Sequence, residues 1–204
     1  MSQIWPVNIV DESPIDGRHK RVLIGKQKVV EASIDLLLEG QANLSFAQIS
    51  RQAGLSERTV SRYFDSFNEL IDDGLIEVHL RTAHLFTTDV PDAPVEERLR
   101  LIAKLRLELV RQYDALSQAM ERLAVRYSAA EKAVVFRDQL LADQFNAWFA
   151  SDRTTIEETD LVLFELMLGY DAVRAINHRL GEHAEDTIVS VGARLLGNPS
   201  TCSS

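Results

Sequence analysis

Residues 45–70, SFAQISRQAGLSERTVSRYFDSFNEL, decide the fold. Ser45 and Gln48 have the spacing of a capping box, in which each side chain satisfies a free amide at a helix start. Phe46, Ile49 and Ala53 then recur three and four apart, which lays one apolar stripe along a short helix. Gly54 follows, where a left-handed residue closes a helix at least cost. Ser56 offers the next N-cap oxygen, and Val60 with Phe64 marks the buried side of a second helix. Outward on that helix stand Glu57, Arg58, Ser61 and Arg62. Two short helices joined by a glycine turn, the second with a polar and basic outer face, form a helix-turn-helix. The partner this implies is double-stranded DNA.

Working outward, the charge of the chain supports that partner despite its sum. The 204 residues carry a net charge of −9, yet eight basic residues stand against four acidic ones between Gly17 and Phe64. The remainder is strongly acidic. A basic segment in an acidic chain steers phosphate toward one face and discourages it elsewhere. A solvated helix approach would give the same basic cluster at 18–28, but less readily beside a helix-turn-helix. Hydrophobic residues at 46% and charged residues at 26% fit a globular protein with a sizeable core. No apolar run reaches the roughly eighteen residues of a membrane span. The first sixteen residues lack the basic and apolar regions of a secretion signal, and the single Cys202 rules out an internal disulfide. A cytoplasmic protein without membrane contact is expected.

The rest of the chain reads as helix, and an all-α fold is predicted. Val22 to Glu39 is one helix, with Val29, Val30, Ser33, Ile34, Leu37 and Leu38 on a buried face and Gly40 closing it. Ser66 with Glu69 opens another, running to about Phe86. Gly74 weakens it by about 1 kcal/mol relative to alanine, which allows a bend. Thr87 to Pro94 is a loop. Helical spacing resumes from Val95 to about Tyr113 and from Asp114 to Tyr127. Ser128 with Glu131 is expected to cap a helix reaching Phe149, and Thr155 with Glu158 one reaching Leu180. A last helix spans Glu182 to Gly197, followed by a disordered tail over 198–204. The expected division is an N-terminal arm over 1–19, the helix-turn-helix unit over 20–65, and a helical bundle over 66–197.

The run KVVEASIDLLLEG followed by LSFAQISRQAGLSERTVSRYFDSFNEL resembles the N-terminal domain of the tetracycline-repressor (TetR) family of bacterial regulators. The resemblance covers residues 20 to 75. It lies in a helix ending in glycine, a second helix ending in Ala-Gly-Leu-Ser, and a recognition helix closing in Tyr63-Phe64. Two positions depart: Ser61 stands where the family often has tyrosine, and Phe67 where it often has lysine, both phosphate contacts. The resemblance implies a three-helix DNA-binding domain joined by a connecting helix to a C-terminal ligand-binding and dimerisation bundle. It implies a homodimer formed through about 155–180 and 182–197, a palindromic operator, and release of a repressor when a small molecule shifts the connecting helix. A purely intramolecular core would use the same apolar residues as that dimer contact. A TetR-fold adaptor that no longer reads DNA is the alternative, with a helical ligand carrier or enzyme behind it.

The candidate DNA-contacting residues are Arg18, Ser45, Ser56, Arg58, Thr59, Ser61, Arg62 and Tyr63. Arg58 and Arg62, four apart, share a face, and arginine is the usual bidentate reader of guanine. Thr59 and Tyr63 suit phosphates, though Tyr63 equally suits packing with a wet hydroxyl. Arg18 suits an arm entering the minor groove. For a ligand pocket the candidates are His84, Phe86, Tyr113, Met120, Tyr127, Phe136, Trp148, Phe164, Met167 and Tyr170, within helices of residues 75–180. Each of these also reads as ordinary core. His79 and His84, five apart, are poorly spaced for one metal, and no metal or other cofactor is expected. No nucleophile elbow, P-loop, paired-histidine metal motif or dinucleotide turn occurs, so no enzyme is expected.

Overall fold

The computed structural model describes residues 17–41, 43–154 and 156–197, with the side chains of residues 17 and 18 left aside. The described residues are helical throughout: α1 (Gly17–Leu38), α2 (Phe46–Ala53), α3 (Glu57–Tyr63), α4 (Phe67–Thr82), α5 (Val95–Ala124), α6 (Ser128–Trp148), α7 (Glu158–Met167), α8 (Tyr170–Leu180) and α9 (Ala184–Leu195). Single 3-10 turns follow α4 at Ala83–Phe86, follow α6 at Ser151–Thr154 and precede α9 at Gly181–His183. No strand occurs among the described residues.

The first four helices close around one apolar cluster. Val29, Val30 and Ile34 of α1 meet Ile49 of α2, Val60 of α3 with the adjoining Phe64, and Leu70 of α4. This is the buried face expected from the spacing, and Ile49, Val60 and Phe64 are fully enclosed. α1 begins at Gly17, five residues before the expected Val22, because the polar run Gly-Arg-His-Lys-Arg continues the helix beyond its apolar stripe. Residues 17–19 of the expected arm are therefore helical. Residues 1–16, the tail over 198–204 and the side chain of Arg18 lie outside the described residues.

α5 is the axis of the larger cluster and packs against α6, α8 and α9. Phe145, Phe149 and Phe164 form its aromatic centre, with ring centroids 5.1 to 5.6 Å apart. Buried polar groups fasten the loop after α4 to this cluster. The Thr87 carbonyl accepts from Gln144 Nε2 at 2.9 Å and from Trp148 Nε1 at 3.0 Å. Gln144 also accepts from Arg106, which donates to the Leu141 carbonyl at 2.8 Å. Burial lowers the Arg106 pKa to about 9, which still leaves it charged at neutral pH. Arg98 spans the same seam, donating to the Trp148 carbonyl and pairing with Asp152 at 3.0 Å.

Three expected helix starts differ. Ser128 is the first residue of α6, not its cap, because Asn68 Oδ1 from α4 accepts the Ala129 amide at 3.2 Å. A partner sixty-one residues away does the work that a local Ser128–Glu131 box was expected to do. The expected helix from Thr155 to Leu180 is two helices: α7 starts after Glu157 and α8 after an extended Gly169 (φ −63°, ψ 152°). Thr155 itself lies outside the described residues. The last helix begins at Ala184, two residues late, after Gly181 turns the chain with φ +54°.

Candidate nucleic-acid interface and ligand cavity

The geometry of α3 follows from its local sequence. Ser45 accepts the Gln48 amide while the Gln48 side chain accepts the Ser45 amide, the full capping box of α2. Gly54 closes α2 at φ +66°, and the Leu55 amide donates to the Ser50 carbonyl at 2.9 Å, a reversal that needs a left-handed residue. Ser56 then caps α3, its Oγ accepting the Thr59 amide at 3.2 Å and lying 2.8 Å from Thr59 Oγ1. With Val60 and Phe64 buried, α3 can rotate neither way without exposing them.

Of the expected DNA-contacting residues, Arg58, Ser61 and Arg62 are exposed together on the outer side of α3. The Arg62 guanidinium lies 5.5 Å from the Tyr63 ring centroid. Ser45 and Ser56 spend their side chains on caps, and Thr59 is half-buried beside Ser56. Tyr63 is half-buried and packs on α1: a Cβ added at Gly25 would stand 2.6 Å from its Cε2. Phe67, at the departing position, stacks between Phe46 at 4.7 Å and Tyr127 at 5.6 Å. Lys26 is engaged within the fold, pairing with Glu69 at 3.1 Å and lying over the Phe64 ring.

A cavity of about 120 Å³ lies where α1, α4, α5 and α6 meet. Ile34 and Leu37 of α1, Leu70 and Val78 of α4, Leu116 and Met120 of α5, and Phe136 and Leu140 of α6 wall it. Among the ten expected pocket residues it brings together Phe86, Tyr113, Met120 and Phe136. The others lie away from it. Phe164 and Trp148 are core, and Met167 packs against the same core. Tyr127 stacks on Phe67, and His84 is exposed with Glu108 3.6 Å away. Tyr170 lines a second, more polar cleft, and burial pushes its hydroxyl pKa well above the usual tyrosine range.

The sequence reading did not place the wall contributed by α1, nor His79. Ser33, Ile34 and Leu37 belong to the buried stripe of α1, and the stripe alone does not say which of its residues border empty space. By its spacing from His84, His79 reads only as a poor metal ligand. It lies on the cavity wall with its ring 5.6 Å from Phe136, and its buried Nδ1 has no hydrogen-bond partner. No group of three or more ligating side chains suited to a metal occurs among the described residues.

Comparison with known proteins gives the fold a name. No protein-family model matches the chain, and no curated protein matches its sequence. Several solved structures share its shape, and two illustrate the likeness. One, assigned as a transcriptional regulator from Streptomyces coelicolor A3(2), superposes with a TM-score of 0.61 at 15% identity, over 85% of this chain and 98% of its own. The other, assigned as a transcriptional regulator of the TetR family from Vibrio parahaemolyticus, gives 0.54 at 18% identity, over 84% and 97%. Each alignment covers most of both chains, so the likeness is to the whole architecture: the chain has the all-α fold of TetR-type regulators.

Proposed function

We propose that this chain is a DNA-binding transcription regulator of the TetR type. It works as a homodimer on a palindromic operator, represses there, and leaves when a small molecule enters the α1–α4–α5–α6 cavity. The observation that carries the reading is α3. Its apolar face is fully enclosed, and Arg58, Ser61 and Arg62 stand exposed together on the other face. A braced helix with two arginines one turn apart is what major-groove readout requires. In this reading residues 20–65 hold DNA and 66–197 supply the partner contact and most of the ligand wall, with α1 completing that wall.

Dimerisation through the last helices has support in α7. Thr159, Val162, Leu163 and Leu166 recur at three and four, and all four are exposed. An apolar stripe of this kind on a soluble helix marks an interaction face. The ligand's route to DNA is short, because α1 walls the cavity with Ile34 and Leu37 and supports Tyr63 of α3 through Gly25. An occupant that shifts α1 or α4 changes the spacing of two α3 helices in a dimer, which is a shift between two states by differential affinity.

The test is a mobility shift with the chain's own upstream DNA at roughly 150 mM salt, where nonspecific contacts are weakened. Specific retardation is expected, and Arg58→Ala with Arg62→Ala removes it while light scattering still finds the dimer. Equal affinity for scrambled DNA would sink the reading. Retained specificity in the double variant would remove the role of the two arginines.

A further inference from the structure

The cavity is selective by its chemistry, and we propose that its occupant is an uncharged, largely apolar molecule of about one aromatic ring, carrying one hydrogen-bonding group that meets His79. That such a molecule is the effector rests on the regulator reading above; that it binds here does not.

Charge is excluded first. No carboxylate lines the wall, so a buried cation would go unpaired at a cost of several kcal/mol. Arg137 is the one permanently charged group on the wall, and it is already neutralised. Glu121 lies 3.3 Å from it and Asp138 2.9 Å, and its guanidinium sits 4.0 Å from the Tyr170 ring centroid. An anionic ligand reaching Arg137 would meet two carboxylates of its own sign. The acidic excess of the chain therefore says nothing about the ligand.

Polarity is limited next. Ser33 Oγ donates to the Val30 carbonyl at 2.7 Å, Thr82 Oγ1 donates to the Val78 carbonyl at 2.8 Å, and Ser117 is hydrogen-bonded to Tyr170. These hydroxyls are committed within the fold, while Tyr113 adds one more hydroxyl to the wall. His79 Nδ1 is the unpartnered buried atom on this wall. The His79 ring stands on the cavity wall beside Phe136, so a ligand group that meets Nδ1 requires a change in the imidazole's rotamer. One donor or acceptor on the ligand then removes an unpaired polar atom.

Size follows from the space. At about 120 Å³ the cavity is close to the roughly 150 Å³ apolar cavity that holds benzene. Gly74 opens it further along α4. It is buried, yet a Cβ added there would meet no atom within 4 Å.

The experiment is ligand-observed NMR on the full chain, without DNA, using phenol, toluene, benzoate and benzylammonium. Phenol and toluene bind, phenol about fivefold tighter through its hydroxyl. Benzoate and benzylammonium bind at least about tenfold more weakly than phenol. His79→Leu makes phenol and toluene equal, and Gly74→Phe abolishes both. Charged probes binding as tightly as phenol would overturn the proposal, as would undiminished phenol binding in Gly74→Phe. The charge series in the unaltered chain decides even where Gly74→Phe fails to fold. An unchanged phenol preference in His79→Leu removes the His79 contact. Phenol binding in a chain that treats all DNA alike would end the regulator reading and leave the cavity assignment standing, and specific DNA binding without phenol binding does the reverse.

Discussion

At position 25 the backbone of α1 passes so close to the Tyr63 ring that an added Cβ would stand 2.6 Å from Cε2, inside any ordinary contact. Tyr63 closes α3, so the ring fixes where the arginine-bearing face points. Gly25→Ala gains up to about 1 kcal/mol of helix propensity and loses roughly 1–3 kcal/mol to overpacking. We expect a net loss near 1 kcal/mol in urea unfolding, with weaker operator binding because α3 is displaced. In a Tyr63→Leu background the same substitution should stabilise slightly. An equal cost in both backgrounds would show that the two residues do not meet. Sequence spacing gave the exposed trio Arg58, Ser61 and Arg62 directly, since i, i+4 on a capped helix fixes a face. The same spacing left Tyr63 open between phosphate and packing, because its partner lies thirty-eight residues away on a glycine with no side chain to announce it.

The helices themselves are tied by their ends, and Glu69 shows how. Its carboxyl pKa is held below the usual value, first by the Asp65 amide donating to Oε2 at 2.9 Å, while burial works against this and Lys26 adds to it. A depressed folded pKa means the stabilisation is present above the ordinary carboxylate value and is lost as pH falls through the folded one. Glu69→Gln should therefore lower Tm at neutral pH and flatten its fall between about pH 5 and pH 2. A variant with the parent's full acid slope would show that Glu69 does not anchor α4. Much of this element scale was legible: Ser45 with Gln48 is a full capping box and Ser66 caps α4, because each motif is complete within four residues. Even there Glu69 reaches one residue further back than expected, to Asp65 and not Ser66. Ser128 and the unbroken 155–180 helix were misread for the opposite reason. The amide near Ser128 is satisfied from Asn68 of α4, and the apolar spacing of Leu161, Phe164, Leu168 and Val173 runs through Gly169 without registering the turn.

At the scale of the whole molecule, the second cluster encloses its aromatic centre completely and still leaves one face of α7 uncovered. Val162 is 48% exposed, Leu163 52% and Leu166 66%, side by side on one helix, while Leu161 and Phe164 of the same helix are buried. An intramolecular core explains the buried pair and leaves the exposed three uncovered. In the proposed homodimer, a second copy of the chain laying the same stripe against it by two-fold symmetry would remove that apolar surface from water and set two α3 helices in one assembly. Leu163→Glu with Leu166→Glu places like charges opposite themselves across that axis, and should leave a folded monomer by light scattering. Operator affinity should then fall by at least about a hundredfold, because each α3 alone holds one half-site and the second contact is no longer intramolecular. Val135→Glu is the matched control: Val135 is 63% exposed on α6, outside the expected dimer helices, and its replacement should change neither mass nor DNA affinity. A double variant that stays dimeric would move the interface off α7, whereas a monomer that keeps full operator affinity would break the link between symmetry and recognition on which the regulator reading depends.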